Sequence, residues 1–245
     1  MSIAKEDLPK MASADHDIAA AFAEALVKIA SAEVSPYPFR HFVVSDLFSE
    51  EVYRDLLAYL PETNQFRATE DKARVAFPLE HGAIQTLELE KQEFWRKFGG
   101  FLLGTELIET LKQKFDLQDE ADQVHYRYVS RASITRSWAG YQLPPHTDID
   151  AKVASFIIYL PRNNDFAKFG TEFYLPVDRD FECDGTSARH AWEHFERVGM
   201  SEFRMNTLTA VCRSHSSFHG VRLNDDPSFI RDTIGYTLYR ESIKK

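Results

Sequence analysis

Residues 143–161 read LPPHTDIDAKVASFIIYLP, and this stretch decides the fold class. Its second half, Val153–Leu160, is a continuous apolar, β-branched run of strand length that stops at Pro161. Around it, Val124–Tyr128, Ser133–Ser137, Thr171–Leu175, Thr207–Val211, Ser217–Val221 and Thr233–Tyr239 are further strand candidates with a hydrophobic period of two. Just ahead of the apolar run stands His146-Thr147-Asp148. On an extended backbone residues i and i+2 face the same way, so His146 and Asp148 can converge on one metal ion while Thr147 faces away. Asp150 is a competing carboxylate on the same face. A second imidazole lies downstream, at His215 or at His219. Two imidazoles and one carboxylate leave open coordination positions and suit a non-haem Fe(II) centre.

Upstream of residue 124 the period is helical. Ile18, Phe22, Leu26, Val27 and Ile29 predict a helix from Asp17 to about Ala32. Phe39–Val44 reads as a strand, and Ser45 or Ser49 caps a helix that runs to Leu60 and stops at Pro61. Residues 62–85 read as irregular. A helical pair follows at about 89–98 and 105–115, broken at Gly99-Gly100 and restarted by Thr105. Helices first and a long β-rich section afterwards predict an α+β protein with a double-stranded β-helix (jelly-roll) core. The expected organisation is one compact domain. Residues 1–123 form an N-terminal helical region with a polar, frayed start at 1–15, and residues 124–245 form the core. The charged segment 178–203 interrupts the strands and predicts a lid-like insert with a short helix at His190–Val198.

A chain of 245 residues can bury a substantial core. Apolar content of 44% and charged content of 27% are those of an ordinary globular protein. A net charge of −9 disfavours nucleic acid and anionic membranes as partners, since both need positive surface. No apolar run approaches membrane-spanning length and no secretory signal is visible. Cys183 and Cys212 lack C-x-x-C spacing and are expected to be buried thiols, consistent with a cytoplasmic location. There is no G-x-S-x-G elbow, P-loop or G-x-G-x-x-G. His190-Ala191-Trp192-Glu193-His194 matches the H-x-x-E-H pattern of inverted zinc peptidases. Such a site needs a helical domain with a third acidic ligand, so a lid helix over Trp192 and Phe195 is the expectation here.

Five motifs then fall in order: H-T-D at 146–148, S-F-I-I-Y-L-P at 155–161, G-T-E-F-Y at 170–174, F-H-G-V at 218–221 and R-D-T-I-G-Y at 231–236. Together they resemble the Fe(II)/2-oxoglutarate-dependent oxygenase superfamily, particularly its prolyl-hydroxylase-like branch, over about residues 124–240. The resemblance implies that His146, Asp148 and His219 hold Fe(II), in preference to Asp150 and His215. It implies that 2-oxoglutarate chelates the metal and extends its distal carboxylate to Arg231, twelve residues after His219. Thr233 would add a hydroxyl contact, and Arg222 is the less favoured cation. Arg127, Arg131 and Arg136, with Tyr126, Tyr128 and Tyr141, lie near enough in sequence to contact a ligand.

The implied activity is a dioxygenase consuming O2, with ascorbate as reductant, that hydroxylates an unactivated C–H bond. A small-molecule substrate is favoured, because the 178–203 insert could close over a compact ligand. A prolyl or other peptide side chain is the alternative. A non-catalytic, cupin-like metal- or ligand-binding protein is the reading from a different class, and an isomerase on the same scaffold is a third.

Overall fold

The computed structural model describes residues 18–121 and 124–243; the expected frayed start at 1–15 lies outside them. The first helix, α1 (Ile18–Ser31), leads through β1 (His41–Val44) to α2 (Glu50–Ala58). Ser49 caps α2, its hydroxyl accepting the Val52 N–H at 3.4 Å, and Glu50 and Glu51 sit in the first turn, where the helix dipole favours acid. Residues 62–85 are more ordered than their composition predicts. They hold a hairpin of β2 (Arg67–Ala68) and β3 (Arg74–Pro78), then the short helix α3 (His81–Ile84). What orders β3 is pairing with a distant strand, which local composition does not report.

The expected break at Gly99-Gly100 is also corrected. Helix α4 (Leu89–Leu103) runs through both glycines and ends at Gly104, beyond which α5 (Thr105–Phe115) begins. Gly99 is buried, and a Cβ there would meet Ile84 only at an ordinary 3.9 Å, so close packing does not require glycine at this position. At Gly104 a Cβ would lie 2.7 Å from the Gly100 carbonyl oxygen, so the chain turns where only glycine fits. Asp116, in the left-handed region at φ 50°, stops α5.

The remaining strands are β4 (Glu120–Ala121), β5 (Val124–Ser137), β6 (Leu143–His146), β7 (Lys152–Tyr159), β8 (Thr171–Pro176), β9 (Phe195–Ser201), β10 (Thr207–Cys212), β11 (His219–Val221) and β12 (Arg231–Ile243). The two strands expected within 124–137 are one, held along its length by β12. All pairings are antiparallel and form two sheets. One runs β1-β10-β7-β12-β5-β3-β2, with β4 beside β5; the other runs β6-β11-β8-β9. Strands β1 to β3 from the N-terminal half thus belong to the same sheet as β5, β7, β10 and β12.

The period of two divides the larger sheet into two chemically different faces. Ala154, Phe156, Ile158, Leu208, Ala210, Ile234, Tyr236 and Leu238 share a buried core with Leu56, Trp95, Phe98 and Leu102 of the helices. Phe156 and Tyr236 stack there at 4.3 Å. Ser155, Tyr159, Thr209, Val211 and Thr233 occupy the alternate positions and face the smaller sheet. Tyr159 donates to the Thr171 hydroxyl at 2.8 Å, Ser201 and Thr209 share a hydroxyl hydrogen bond, and Phe173 packs with Phe39 and Val211. The helices therefore brace one face and leave the polar face free to build a site.

The expected helix at His190–Val198 does not form. A single 3-10 turn at Trp192–His194 leads directly into β9, whose backbone pairs with β8, and Phe195 is buried against Phe218 at 4.7 Å. Sheet pairing overrides local helical pattern here. Of the expected insert at 178–203, residues 195–201 are thus a sheet strand, and the lid-like reading narrows to residues 178–194. Cys183 and Cys212 are free and buried. Among the described residues no helix is long and apolar enough to cross a membrane.

Candidate metal centre and buried arginine

Strands β6 and β11 bring the two histidines face to face. His146 pairs with His219 in register, and their rings are 4.5 Å apart. Two residues further along β11, Val221 pairs with Leu143, three residues back along β6. The extra residue is a bulge at Pro144-Pro145, where proline removes ladder donors. The bulge presses the Leu143 carbonyl so close to Gly220 that a Cβ there would lie 2.5 Å away. Asp148 follows β6 by two residues. One ligand atom each from His146, Asp148 and His219 lies within 4.8 Å of the others, the one such group among the described residues.

The surroundings orient all three. His146 Nδ1 lies 3.0 Å from the Pro144 carbonyl oxygen, and His219 Nδ1 lies 3.0 Å from that of Ser217. Each ring can therefore donate from Nδ1 and keep the Nε2 lone pair for a metal. Lys152 Nζ donates to Asp148 Oδ1 at 2.8 Å, and the Ser155 hydroxyl donates to Oδ2. Thr147 is fully buried, its hydroxyl without a partner.

Asp150 is not on the strand face expected for it, because β6 ends at His146. Its exposed carboxylate pairs with Arg213, and its N–H donates to the Gly185 carbonyl at 3.2 Å. His215 lies outside the cluster and is held by the Cys183 carbonyl at 2.7 Å. His190 and His194 do not join a metal cluster either. They line a separate cavity of about 380 Å³ with Asp178 and Phe181.

Burial and the neighbouring His219 push His146 down to about 3. Burial alone would raise Asp148, but His219, Lys152 and Ser155 outweigh it and hold the carboxyl well below its ordinary value. Both donors are thus in ligating form at neutral pH. The same shifts set an acid limit for the metal-free protein. An unfolded chain protonates His146 near its ordinary 6.5, whereas the fold resists until about 3. Stability should therefore fall as pH drops below about 6.5, by up to roughly 1.4 kcal/mol per pH unit from this group. Asp148, depressed in the fold, adds a further loss once pH passes below its ordinary 3.8. Urea midpoints of chelator-treated protein at pH 7 and pH 5 check the first window. His146→Gln should flatten the difference, and an unchanged slope in that variant would remove the assignment.

Arg231, the first residue of β12, is buried on the side of the larger sheet that faces the smaller one. Its Nε donates to the Phe169 carbonyl at 3.1 Å, and the guanidinium lies over Tyr159 at 5.6 Å and Phe203 at 5.5 Å. Nη2 is buried and has no partner. Burial pulls this group below its ordinary value. Thr233 is adjacent on the same face, but its hydroxyl already bonds Thr135 at 2.7 Å.

The other candidates have occupations elsewhere. Arg222 is exposed, bonded to Glu172 at 3.0 Å and stacked on Trp192. Arg127 pairs with Glu241, Arg131 lies over Tyr239, and Arg136 grips Asp232 through two bonds of 2.7 and 2.9 Å. Tyr126 sits under Arg240, and Tyr128 donates to the Gln118 carbonyl. Tyr141 is buried and accepts from Arg74 Nη1 at 3.2 Å.

Three residues of the site escaped the sequence reading: Lys152, Ser155 and Tyr159. The signal was present in the run Val153–Leu160, where Ser155 and Tyr159 are its only polar side chains and lie four apart on one face.

A crystal structure of a Pseudomonas putida prolyl-4-hydroxylase superposes on this chain with a TM-score of 0.52 at 12% identity, covering 90% of this chain and 99% of that one. The chain shares the fold of that prolyl-4-hydroxylase. It is also similar to a 2OG-Fe(II) oxygenase family oxidoreductase from Burkholderia pseudomallei, with a TM-score of 0.49, 15% identity, and coverage of 92% and 91%. Another similar structure is HygX from Streptomyces hygroscopicus with nickel and 2-oxoglutarate bound, with a TM-score of 0.48, 11% identity, and coverage of 81% and 82%. The fold assignment rests on the first of these. No family profile and no curated protein matches the chain in sequence.

Proposed function

We propose that this protein is an Fe(II)- and 2-oxoglutarate-dependent dioxygenase that hydroxylates an unactivated C–H bond of a small molecule. We place its site in a jelly-roll core. The four-strand orders β5-β12-β7-β10 and β6-β11-β8-β9 support that core, since they interleave strands from the two ends of the β-rich section as a double Greek key does.

The observation that carries the reading is the pairing of a buried donor set with a buried cation lacking an anion. Two neutral imidazoles and a carboxylate fit a divalent iron that keeps open positions. A fully buried guanidinium is costly without a counter-charge. Nη2 of Arg231 is the orphan that the distal carboxylate of 2-oxoglutarate would satisfy, and a carboxylate can take two parallel bonds from such a fork. When bound, Fe(II), 2-oxoglutarate and O2 supply the oxidising chemistry. The chain's own residues do the positioning. His146, Asp148 and His219 would hold the metal, Lys152 and Ser155 fix the carboxylate, and Tyr159 and Phe203 shield the guanidinium from water.

Anaerobic reconstitution with Fe(II) and 2-oxoglutarate, followed by O2 and ascorbate, tests the reading. The expected product is succinate, formed only when metal and co-substrate are both present. Failure of 2-oxoglutarate to bind the metal-loaded protein would sink it. Binding without succinate under every substrate tried would favour a non-catalytic binding protein.

A further inference from the structure

A second cavity, of about 260 Å³, is lined by Glu70, Asp71, Arg74, Tyr141, Leu143 and Arg189. Its position follows from strand register. Arg74 of β3 and Arg231 of β12 both pair with Ser137 of β5, so all three side chains leave the sheet on one face. Neighbouring strands lie 4.7–4.9 Å apart, which places Arg74 roughly 10 Å from Arg231 across the sheet. On the opposing sheet, the Pro144-Pro145 bulge returns Leu143 to the face that carries His146 and His219. The cavity therefore draws its lining from both sheets, with Arg74 on the face that carries Arg231 and Leu143 on the face that carries His146 and His219.

Its charges are unusual in being uncommitted. Arg74 is steadied by Tyr141, through the hydroxyl and the ring face, and neither Arg74 nor Arg189 is in an ion pair among the described residues. The acidic wall comes from the turn between β2 and β3. Asp71 is held there by the Ala73 N–H at 2.9 Å, and Glu70 is exposed. Two guanidiniums and two carboxylates thus face one small space without neutralising each other. A polyanion would be repelled by the acidic wall, and a cation by the arginines. A molecule with both charges would satisfy both walls. The volume is below the roughly 300–1,000 Å³ of sites for drug-sized ligands, so the occupant is small.

We propose that this cavity binds the substrate of the oxygenase site and that the substrate is a compact zwitterion of the free α-amino acid class. Its carboxylate would be held by Arg74 and Arg189 and its ammonium by Glu70 and Asp71. The inference rests on the oxygenase reading and names the substrate class for the same site.

The test is calorimetric titration of the full chain loaded with Mn(II), first with 2-oxoglutarate and then with the twenty common L-amino acids. Each amino acid is compared with its N-acetyl and carboxamide derivatives, which delete one charge at a time. At least one free amino acid should bind, both derivatives should bind at least about tenfold more weakly, and the binder should stimulate succinate formation in the iron form. Arg189→Met, on an exposed side chain, and Arg74→Met should each weaken that binding by about tenfold or more. Arg74→Lys should restore part of it. No binding by any member of the panel, equal binding of the carboxamide, or arginine variants that bind as well as the parent would overturn the proposal. Loss of 2-oxoglutarate binding is a separate result, and it overturns the oxygenase reading instead.

Discussion

Replacing Arg231 with methionine is expected to abolish 2-oxoglutarate binding while leaving metal binding intact. Arg231 is buried, anchored through Nε to the Phe169 carbonyl, and enclosed by Tyr159 and Phe203. Removing one partner of a buried charge pair costs roughly 3–5 kcal/mol, or on the order of 10²–10⁴-fold in affinity. The same burial gives the prediction a second edge. Without a bound anion, the guanidinium is an uncompensated charge that destabilises the fold. Arg231→Met should therefore raise the thermal midpoint of the ligand-free protein even as it destroys the binding site. Added 2-oxoglutarate should stabilise the parent, by mass action, and leave the variant unmoved. Arg231→Lys keeps the charge but loses the planar fork, and should recover only part of the affinity. A variant that binds 2-oxoglutarate as the parent does would move the co-substrate's cation to another residue, Arg74 being the next along the sheet.

The sequence was most legible where local pattern and tertiary role coincide. The apolar run Val153–Leu160 reads as a strand and is one, although the division it makes between a braced face and a polar face at Ser155 and Tyr159 was not read from it. His146 and Asp148 were legible from their spacing, whereas His219 was preferred to His215 only through the resemblance carried by F-H-G-V; the pairing of β6 with β11 then sets His219 opposite His146. Where pairing partners are distant, the pattern was silent. The hairpin at 67–78 has no strong β signal and owes its order to β5. The helical spacing at 190–198 lost to the ladder offered by β8. Gly99-Gly100 reads as a break by propensity, yet the helix runs through both, its face of Phe94, Trp95, Phe98 and Leu102 buried in the core. Asp148 converges on the histidines beyond the end of β6, so the i, i+2 expectation met its residue through a backbone that is not strand. Arg74 and Arg189 carry no local signal at all; only the folded sheets bring them to one cavity.

The second large effect is expected at Asp148, and its size should exceed that of either histidine. Loss of a group that hydrogen-bonds and orients a metal ligand typically lowers metal affinity about 10–100-fold, and loss of a direct ligand should exceed this range. His219→Ala removes a neutral donor and leaves no charge stranded. Asp148→Ala removes the only carboxylate of the cluster and also strips Lys152 of its counter-ion, 2.8 Å away. The ammonium, with 27% of its side chain exposed, then stands beside a cation site with nothing to neutralise it. Like charges in a partly desolvated space repel strongly, so metal binding should suffer twice. The expected order of affinity loss, read from Co(II) absorption or direct titration, is Asp148→Ala, then His219→Ala, with His215→Ala unchanged. Pairing Asp148→Ala with Lys152→Met should recover part of the loss, because the repulsive charge is gone although the ligand is still missing. Equal losses at Asp148 and His219, with no recovery in the double variant, would show that Lys152 exerts no field on the metal. An effect of His215→Ala as large as that of His219→Ala would displace His219 from the ligand set.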